Sequence, residues 1–309
     1  MRRKLIEDVE MPKDSKVDVH QVFKALKWRG CAENEIDYLK RIISDKEIFD
    51  FSGYSGITTF LAVSSKECER NLCIKISDTP HDLERSYVML NLMSKYNLFP
   101  QIIKYISTNK DYLITEVIEA PMAINAFNDF RSLSRFMGTA LRRFHDIQWN
   151  IFSMTELEKK LILSKTASIL PEALSHEKGL NFLAQYQNDF DYVAMKKYLK
   201  EHKEDYIKDE VMIHGDFNPR NVFAKDGNLM AVIDLTDTCF GDRHYDIYFS
   251  MWTVALYSGI LDNPKLVTEC QNIFLDSYGR EKIDQQRMEY CKKLTCMYWQ
   301  EHNDIKGLI

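Results

Sequence analysis

The 309-residue sequence predicts an α+β fold in two lobes, a small antiparallel β lobe followed by a larger helical lobe. Three observations point that way. Residues 47–77 hold three short β-rich runs in close succession. After Ala120 the apolar residues recur mainly at helical spacing. Within that second part, short strand-like runs frame three oxygen-bearing side chains, Asp216, Asn221 and Asp234. The expected divisions are residues 1–46 as an arm with short helices, 47–117 as the β lobe and 118–309 as the helical lobe.

Residues 1–16 are polar, contain Pro12 and show no period, which predicts a loose arm. In 17–43, Val19, Val22, Phe23, Leu26 and then Ile36, Leu39, Ile42 and Ile43 recur at helical spacing, interrupted by Gly30, which predicts two short helices. Residues 47–51 alternate as a strand, 52–56 read as a turn and 57–63 as a second strand. A polar link leads to a third strand over 72–76. Three such strands with a glycine turn between the first two would make a flap over a nucleotide. Residues 81–96 place Leu83, Tyr87, Leu90 and Met93 on one helix face. Strands are expected over 100–106 and 112–117, and helices over 133–147 and within 155–209. Strands return at 211–213, 222–224 and 229–233, and helices at 245–258 and 264–299.

Composition narrows the function classes. The net charge of -5 supplies no basic field for nucleic acid or anionic lipid. Seven cysteines without a Cys-x-x-Cys pair argue against a disulfide framework and for a reducing, cytoplasmic setting. Cys291 and Cys296 lack the further ligands a zinc site needs. No apolar run approaches the roughly 18 residues of a membrane span, and the charged start is not followed by the apolar stretch of a signal peptide. The expected partner is a small molecule, with monomer and homodimer both open.

The chemistry lies in His214-Gly215-Asp216-Phe217-Asn218-Pro219-Arg220-Asn221 and in Val232-Ile233-Asp234-Leu235. An Asp, an Asn five residues on and an Asp after an apolar strand follow the catalytic-loop and metal-strand order of phosphoryl-transfer enzymes. Asp216 would take a proton from a substrate hydroxyl, while Asn221 and Asp234 offer the hard oxygen donors that Mg²⁺ prefers. Each residue alone has a plainer reading: Asp216 as a local cap, Asn221 as a turn residue beside Pro219 and Asp234 as a strand-end cap. Asp242 suits a helix N-cap. Lys75 interrupts an apolar strand, so it either finds a partner or faces solvent.

Those segments, with Gly241-Asp242-Arg243-His244-Tyr245-Asp246-Ile247 and the stretch 137–147, resemble the aminoglycoside phosphotransferase and choline kinase superfamily, nearest its aminoglycoside and hygromycin branch. The resemblance covers roughly residues 47–255. It implies a bilobal protein-kinase-like fold, ATP (or GTP) as phosphate donor and Mg²⁺ as cofactor. It implies that Lys75 contacts the α and β phosphates and pairs with Glu84, the only glutamate of the following helix. Gly53 and Ser55 would touch phosphates, and Thr115 and Val117 would lie where backbone meets adenine. Cys73 takes a place where some relatives stack an aromatic ring on the base. His214 and Asp246 would support the catalytic loop.

The acceptor is written less clearly. Asp189, Asp191, Glu301 and Asp304 could bind the ammonium groups of an aminoglycoside, yet with the interspersed lysines they read equally as a solvated helix face. The resemblance implies an aminoglycoside kinase conferring antibiotic resistance. The alternatives are a metabolic kinase of the same fold, acting on choline, homoserine, a thiosugar or a macrolide, and a nucleotide-binding protein without turnover. A protein kinase fits less well, since His-Arg-Asp, Asp-Phe-Gly and Ala-Pro-Glu are missing.

Overall fold

The computed structural model describes residues 16–20, 23, 33–50, 58–64, 70–77, 79, 81–96, 98–107, 111–148, 154–156, 193–194, 197, 201, 210–289 and 291–292. The chain divides into two compact units, residues 1–121 with 230–233, and residues 122–229 with 234–309.

The first unit is built on a six-stranded sheet with antiparallel neighbours throughout. In chain order its strands are β1 (Lys16–Val17), β2 (Lys46–Asp50), β3 (Thr58–Ser64), β4 (Leu72–Ser77), β5 (Ile102–Ser107) and β6 (Asp111–Glu116). Their spatial order is β1-β2-β3-β4-β6-β5. The alternation of the sequence becomes the two faces of this sheet. Ile48, Phe60, Ala62, Leu72, Ile74, Ile76, Tyr112 and Ile114 form one buried cluster, onto which helix α1 (Glu33–Ile43) packs Ile36, Leu39 and Ile43. The intervening β4 residues Cys73 and Lys75 belong to the opposite face, level with Thr115 and Leu113 of β6. Lys16–Val17, placed in or beside the polar arm by sequence, pairs with Phe49 and Ile48 instead. Helix α2 (Glu84–Met93) starts where the buried Asp111 carboxylate accepts the Leu83 N–H at 2.9 Å. Val232 ties residues 230–233 to this unit through its N–H to Leu98 O, 2.8 Å.

The second unit is mainly helical among the described residues. Short α3 (Ala123–Ala126) precedes α4 (Phe130–His145), whose first turn is capped by Asp129 accepting from Arg131 and Ser132 N–H groups, both 3.0 Å. Strand β7 (Glu210–Ile213) enters the 214–221 loop, followed by β8 (Val222–Lys225) and β9 (Asn228–Val232). Strand β10 (Cys239–Asp242), absent from the sequence reading, pairs antiparallel with β7, Ile213 opposite Cys239. Helices α5 (Arg243–Tyr257) and α6 (Pro264–Tyr278) follow. Sequence periodicity ran one helix over 264–299; α6 ends at Tyr278 with Gly279 as its C-cap, residues 285–289 and 291–292 are helical again, and 290 and 293–299 lie outside the described residues. Helices α4 and α6 cross closely at Gly138: a Cβ there would lie 2.4 Å from Phe274 O. Only a residue without a side chain permits that approach.

Candidate active site

The 214–221 loop is held by its own amides and by three neighbouring helices. Asp216 N–H donates to His214 Nδ1 at 3.2 Å, and Asn221 N–H donates to Asn218 O at 3.0 Å. From α3, Ile124 N–H donates to Pro219 O at 3.1 Å. Phe217 is fully buried and packs with Phe144 and the His214 ring, centroids 5.9 and 5.7 Å away. Gly215 adopts φ 84°, and a Cβ on it would meet Asp237 Cβ and O at 2.7 Å. The turn thus needs both the left-handed backbone and the missing side chain.

Below the loop lies Asp246, in the first turn of α5, whose N-cap Asp242 accepts the His244 N–H at 3.0 Å. Burial alone would raise the Asp242 carboxyl, but the hydrogen bonds and charge of His244, with the charge of Arg287, hold it below the usual range. The fully buried Asp246 carboxylate accepts the N–H groups of His214 (2.6 Å) and Gly215 (2.9 Å) and faces His145 Nε2 at 3.2 Å. Two backbone donors that no strand or helix satisfies thereby find an acceptor.

Within the loop, each oxygen of Asp216 takes one amide. Asn218 Nδ2 donates to Oδ1 at 2.8 Å and Asn221 Nδ2 donates to Oδ2 at 2.9 Å. Asn221 Nδ2 also reaches Asp216 O at 3.0 Å. Burial pushes the Asp216 carboxyl up to about 6, and the Asp234 and Asp237 carboxylates add to the rise, while the Asn218 hydrogen bond and His214 oppose it. A carboxyl poised there is mostly ionised at neutral pH yet more basic than a surface aspartate, which suits a proton acceptor. Asp234 sits at φ 61° at the head of the 3₁₀ turn Leu235–Asp237. Sequence reasoning missed Asn218 and Asp237. The first carries an Asx signal two residues after Asp216, and the second is the acidic residue three after Asp234.

Asn221 and Asp234 suit magnesium by their donor chemistry. Both Asn221 amide hydrogens are turned toward Asp216, which leaves Oδ1 as the group it can offer, and Asp234 adds one carboxylate. Mg²⁺ is ordinarily held by one or two carboxylates with phosphate oxygens and water completing its shell. No group of three or more His, Cys, Asp and Glu that could hold a metal by itself occurs among the described residues.

In the first unit, Lys75 is half-buried on the face it shares with Cys73 and Thr115. Burial pushes the Cys73 thiol up, against the charge of Lys75 and a hydrogen bond with Thr115. The expected Lys75–Glu84 pair is not formed. Glu84 is the first residue of α2 and lies 3.6 Å from His81 Nδ1, and among the described residues no ion pair joins it to Lys75. Val117 N–H donates to Asn71 O at 2.9 Å, so it is not free to meet a base. Gly53, Ser55, Asp189, Asp191, Glu301 and Asp304 lie outside the described residues.

A loop that fixes an aspartate between two asparagine amides, next to a strand-end aspartate, is the candidate site of a small-molecule kinase. A family model described as a phosphotransferase enzyme family matches residues 113–269, and the chain belongs to that family. A probable aminoglycoside 3'-phosphotransferase of Lactococcus lactis subsp. lactis (strain IL1403) is 24% identical over 256 residues, 81% of this chain and 90% of that protein. Among solved structures, an aminoglycoside phosphotransferase from Streptomyces rimosus ATCC10970 aligns with TM-score 0.58 and 17% identity, over 85% of this chain and 96% of that one. An aminoglycoside-3'-phosphotransferase of type VIII gives 0.56 and 17%, over 85% and 99%. A choline kinase from Streptococcus pneumoniae gives 0.53 and 14%, over 89% and 93%. These structures share the kinase-like fold with this chain. No described helix is long and apolar enough to cross a membrane.

Proposed function

We propose that this chain transfers the γ-phosphate of ATP to a hydroxyl of an aminoglycoside, and so confers resistance to it. The observation that carries this reading is the Asp216 carboxylate, held by one amide on each oxygen and raised to about 6 by burial. The acceptor oxygen attacks the γ-phosphorus as the bond to the β–γ bridging oxygen breaks and ADP departs. The hydroxyl proton passes to Asp216 late in that step. Asn221 and Asp234 would hold Mg²⁺, which when bound neutralises charge on the phosphate oxygens. Lys75 would contact the α and β phosphates, with Ser55 and the backbone around Gly53 covering them, and backbone near Thr115 would meet the base. GTP in place of ATP keeps all of this chemistry.

The aminoglycoside acceptor is favoured by the Lactococcus relative, which spans most of both chains. Asp189, Asp191, Glu301 and Asp304 are the proposed ammonium-binding side chains. The test is ADP release from MgATP with kanamycin A, streptomycin, spectinomycin, choline and ethanolamine as separate acceptors. Release stimulated by one or more of the antibiotics supports the reading. Stimulation by choline or ethanolamine alone replaces it with a metabolic kinase, and no stimulation by any acceptor overturns it.

A further inference from the structure

We infer that Tyr278, at the end of α6, is a positioning residue for the 214–221 loop, acting through the tautomer of His145. The inference rests on the proposed phosphoryl transfer for its functional consequence but on four contacts for its geometry. Tyr278 Oη lies 2.8 Å from His145 Nδ1, and His145 Nε2 lies 3.2 Å from Asp246 Oδ2. Asp246 in turn accepts from His214 N at 2.6 Å and from Gly215 N at 2.9 Å. The side chains of His145 and Asp246 are fully enclosed, and Tyr278 is 1% exposed.

The direction of each bond follows from what each group can do. Ionised Asp246 only accepts, so His145 must present Nε2–H to it. A neutral imidazole has one ring proton, so Nδ1 is then a bare acceptor, and Tyr278 O–H is the donor placed at it. Burial holds His145 below its ordinary range, against the hydrogen bond and charge of Asp246, and so favours the neutral ring. The Tyr278 phenol is itself pushed up to about 12, chiefly by burial, so it keeps its proton to give. The charge and a hydrogen bond of Arg243 act against that rise, and the Tyr278 main-chain carbonyl accepts from Arg142 Nη1 at 2.9 Å.

Without that hydroxyl the Nε2–H form is favoured by Asp246 alone, and Nδ1 is left a buried acceptor that has lost its donor, so the preference weakens. The other tautomer turns a lone pair on Nε2 toward the Asp246 carboxylate, and the two repel. Asp246 is the group that holds the backbone immediately before Asp216, so the displacement is delivered to the reacting carboxylate. The remaining α6 contacts stay in place, because a phenylalanine fills the same space.

The experiment compares wild type, Tyr278→Phe, His145→Gln and the double variant. A glutamine donates from Nε2 whatever stands beside it, so it removes the need for Tyr278. ¹⁵N NMR of the His145 ring should show one Nε2–H tautomer in wild type and a mixture in Tyr278→Phe. The Gly215 amide should exchange about tenfold faster in Tyr278→Phe, and kcat with MgATP and the best acceptor of the panel should fall about tenfold with KM for ATP unchanged. In the His145→Gln background the same substitution should change neither quantity. Retention of a pure Nε2–H ring in Tyr278→Phe, or equal losses in both backgrounds, overturns the inference. Absence of phosphate transfer by wild type would remove the phosphotransferase reading instead, and the ring signals and Gly215 exchange would still decide the role of Tyr278.

Discussion

A carboxylate serves as a proton acceptor only if its oxygens are held where the proton will arrive, and Asp216 is held from both sides. Asn218 and Asn221 each direct an amide at one oxygen, and burial keeps the group more basic than a surface aspartate. Gly215 is the other single-residue requirement. Its φ of 84° and its contact with Asp237 leave no room for a side chain. Gly215→Ala should therefore cost about 1–3 kcal/mol of stability for the strained backbone, more if Asp237 cannot retreat. Turnover should fall further than stability does, because Asp216 is the next residue. Urea unfolding and initial rates on the same preparation check this, and an alanine variant with normal turnover would show the turn to be tolerant. His-Gly-Asp with Asn five on was legible because it is local and its residue types are rare together. Tyr278 was not, since it reaches His145 across 133 residues of sequence and nothing near either residue marks the other.

At the level of elements, strands β2, β3 and β4 were visible because their side chains alternate and one face is buried. Strands β1 and β10 were not. They are two and four residues long, and it is their partners β2 and β7 that make them strands. The Lys75–Glu84 pair failed for a related reason: helix registry places Glu84 on the first turn of α2, beside His81. The α4–α6 crossing offers a test of packing. Alanine at 138 would gain up to about 1 kcal/mol in helix propensity, but its Cβ would lie 2.4 Å from Phe274 O, a backbone atom that cannot rotate away. Overpacking of that kind costs about 1–3 kcal/mol, so Gly138→Ala should lower the denaturation midpoint; an unchanged or raised midpoint would mean that the helices separate freely. The same packed region sets an acid limb. Because the pKa of folded His145 is lowered from 6.5, its unprotonated form contributes stability that is present above about pH 6.5 and lost as pH falls below it. Wild type should lose stability relative to His145→Gln between pH 7 and 5 in urea titrations, and parallel curves would contradict the neutral, buried imidazole.

For the whole molecule, family membership and fold agree with one chemistry. In the proposed reading Lys75, half-buried on β4, would meet phosphates, while Asp216, Asn221 and Asp234 would serve the transfer and the metal. The acceptor was the least legible part of the sequence, because acidic residues among lysines look the same whether they bind an antibiotic or water. Nucleotide and metal should act together: MgATP at about 100 times its Kd should stabilise the chain by about 2.7 kcal/mol, and excess EDTA should abolish most of the resulting rise in Tm. An undiminished rise in EDTA would argue that Asn221 and Asp234 hold no metal. The most direct measurement follows the phosphate itself, using ATP labelled at the γ position with wild type and Asp216→Ala on the same acceptors. Wild type should place label on an aminoglycoside hydroxyl, and the variant, folded and still binding ATP, should do so about 10² to 10⁴ times more slowly. Equal transfer by the two proteins, or label on no acceptor at all, would contradict it.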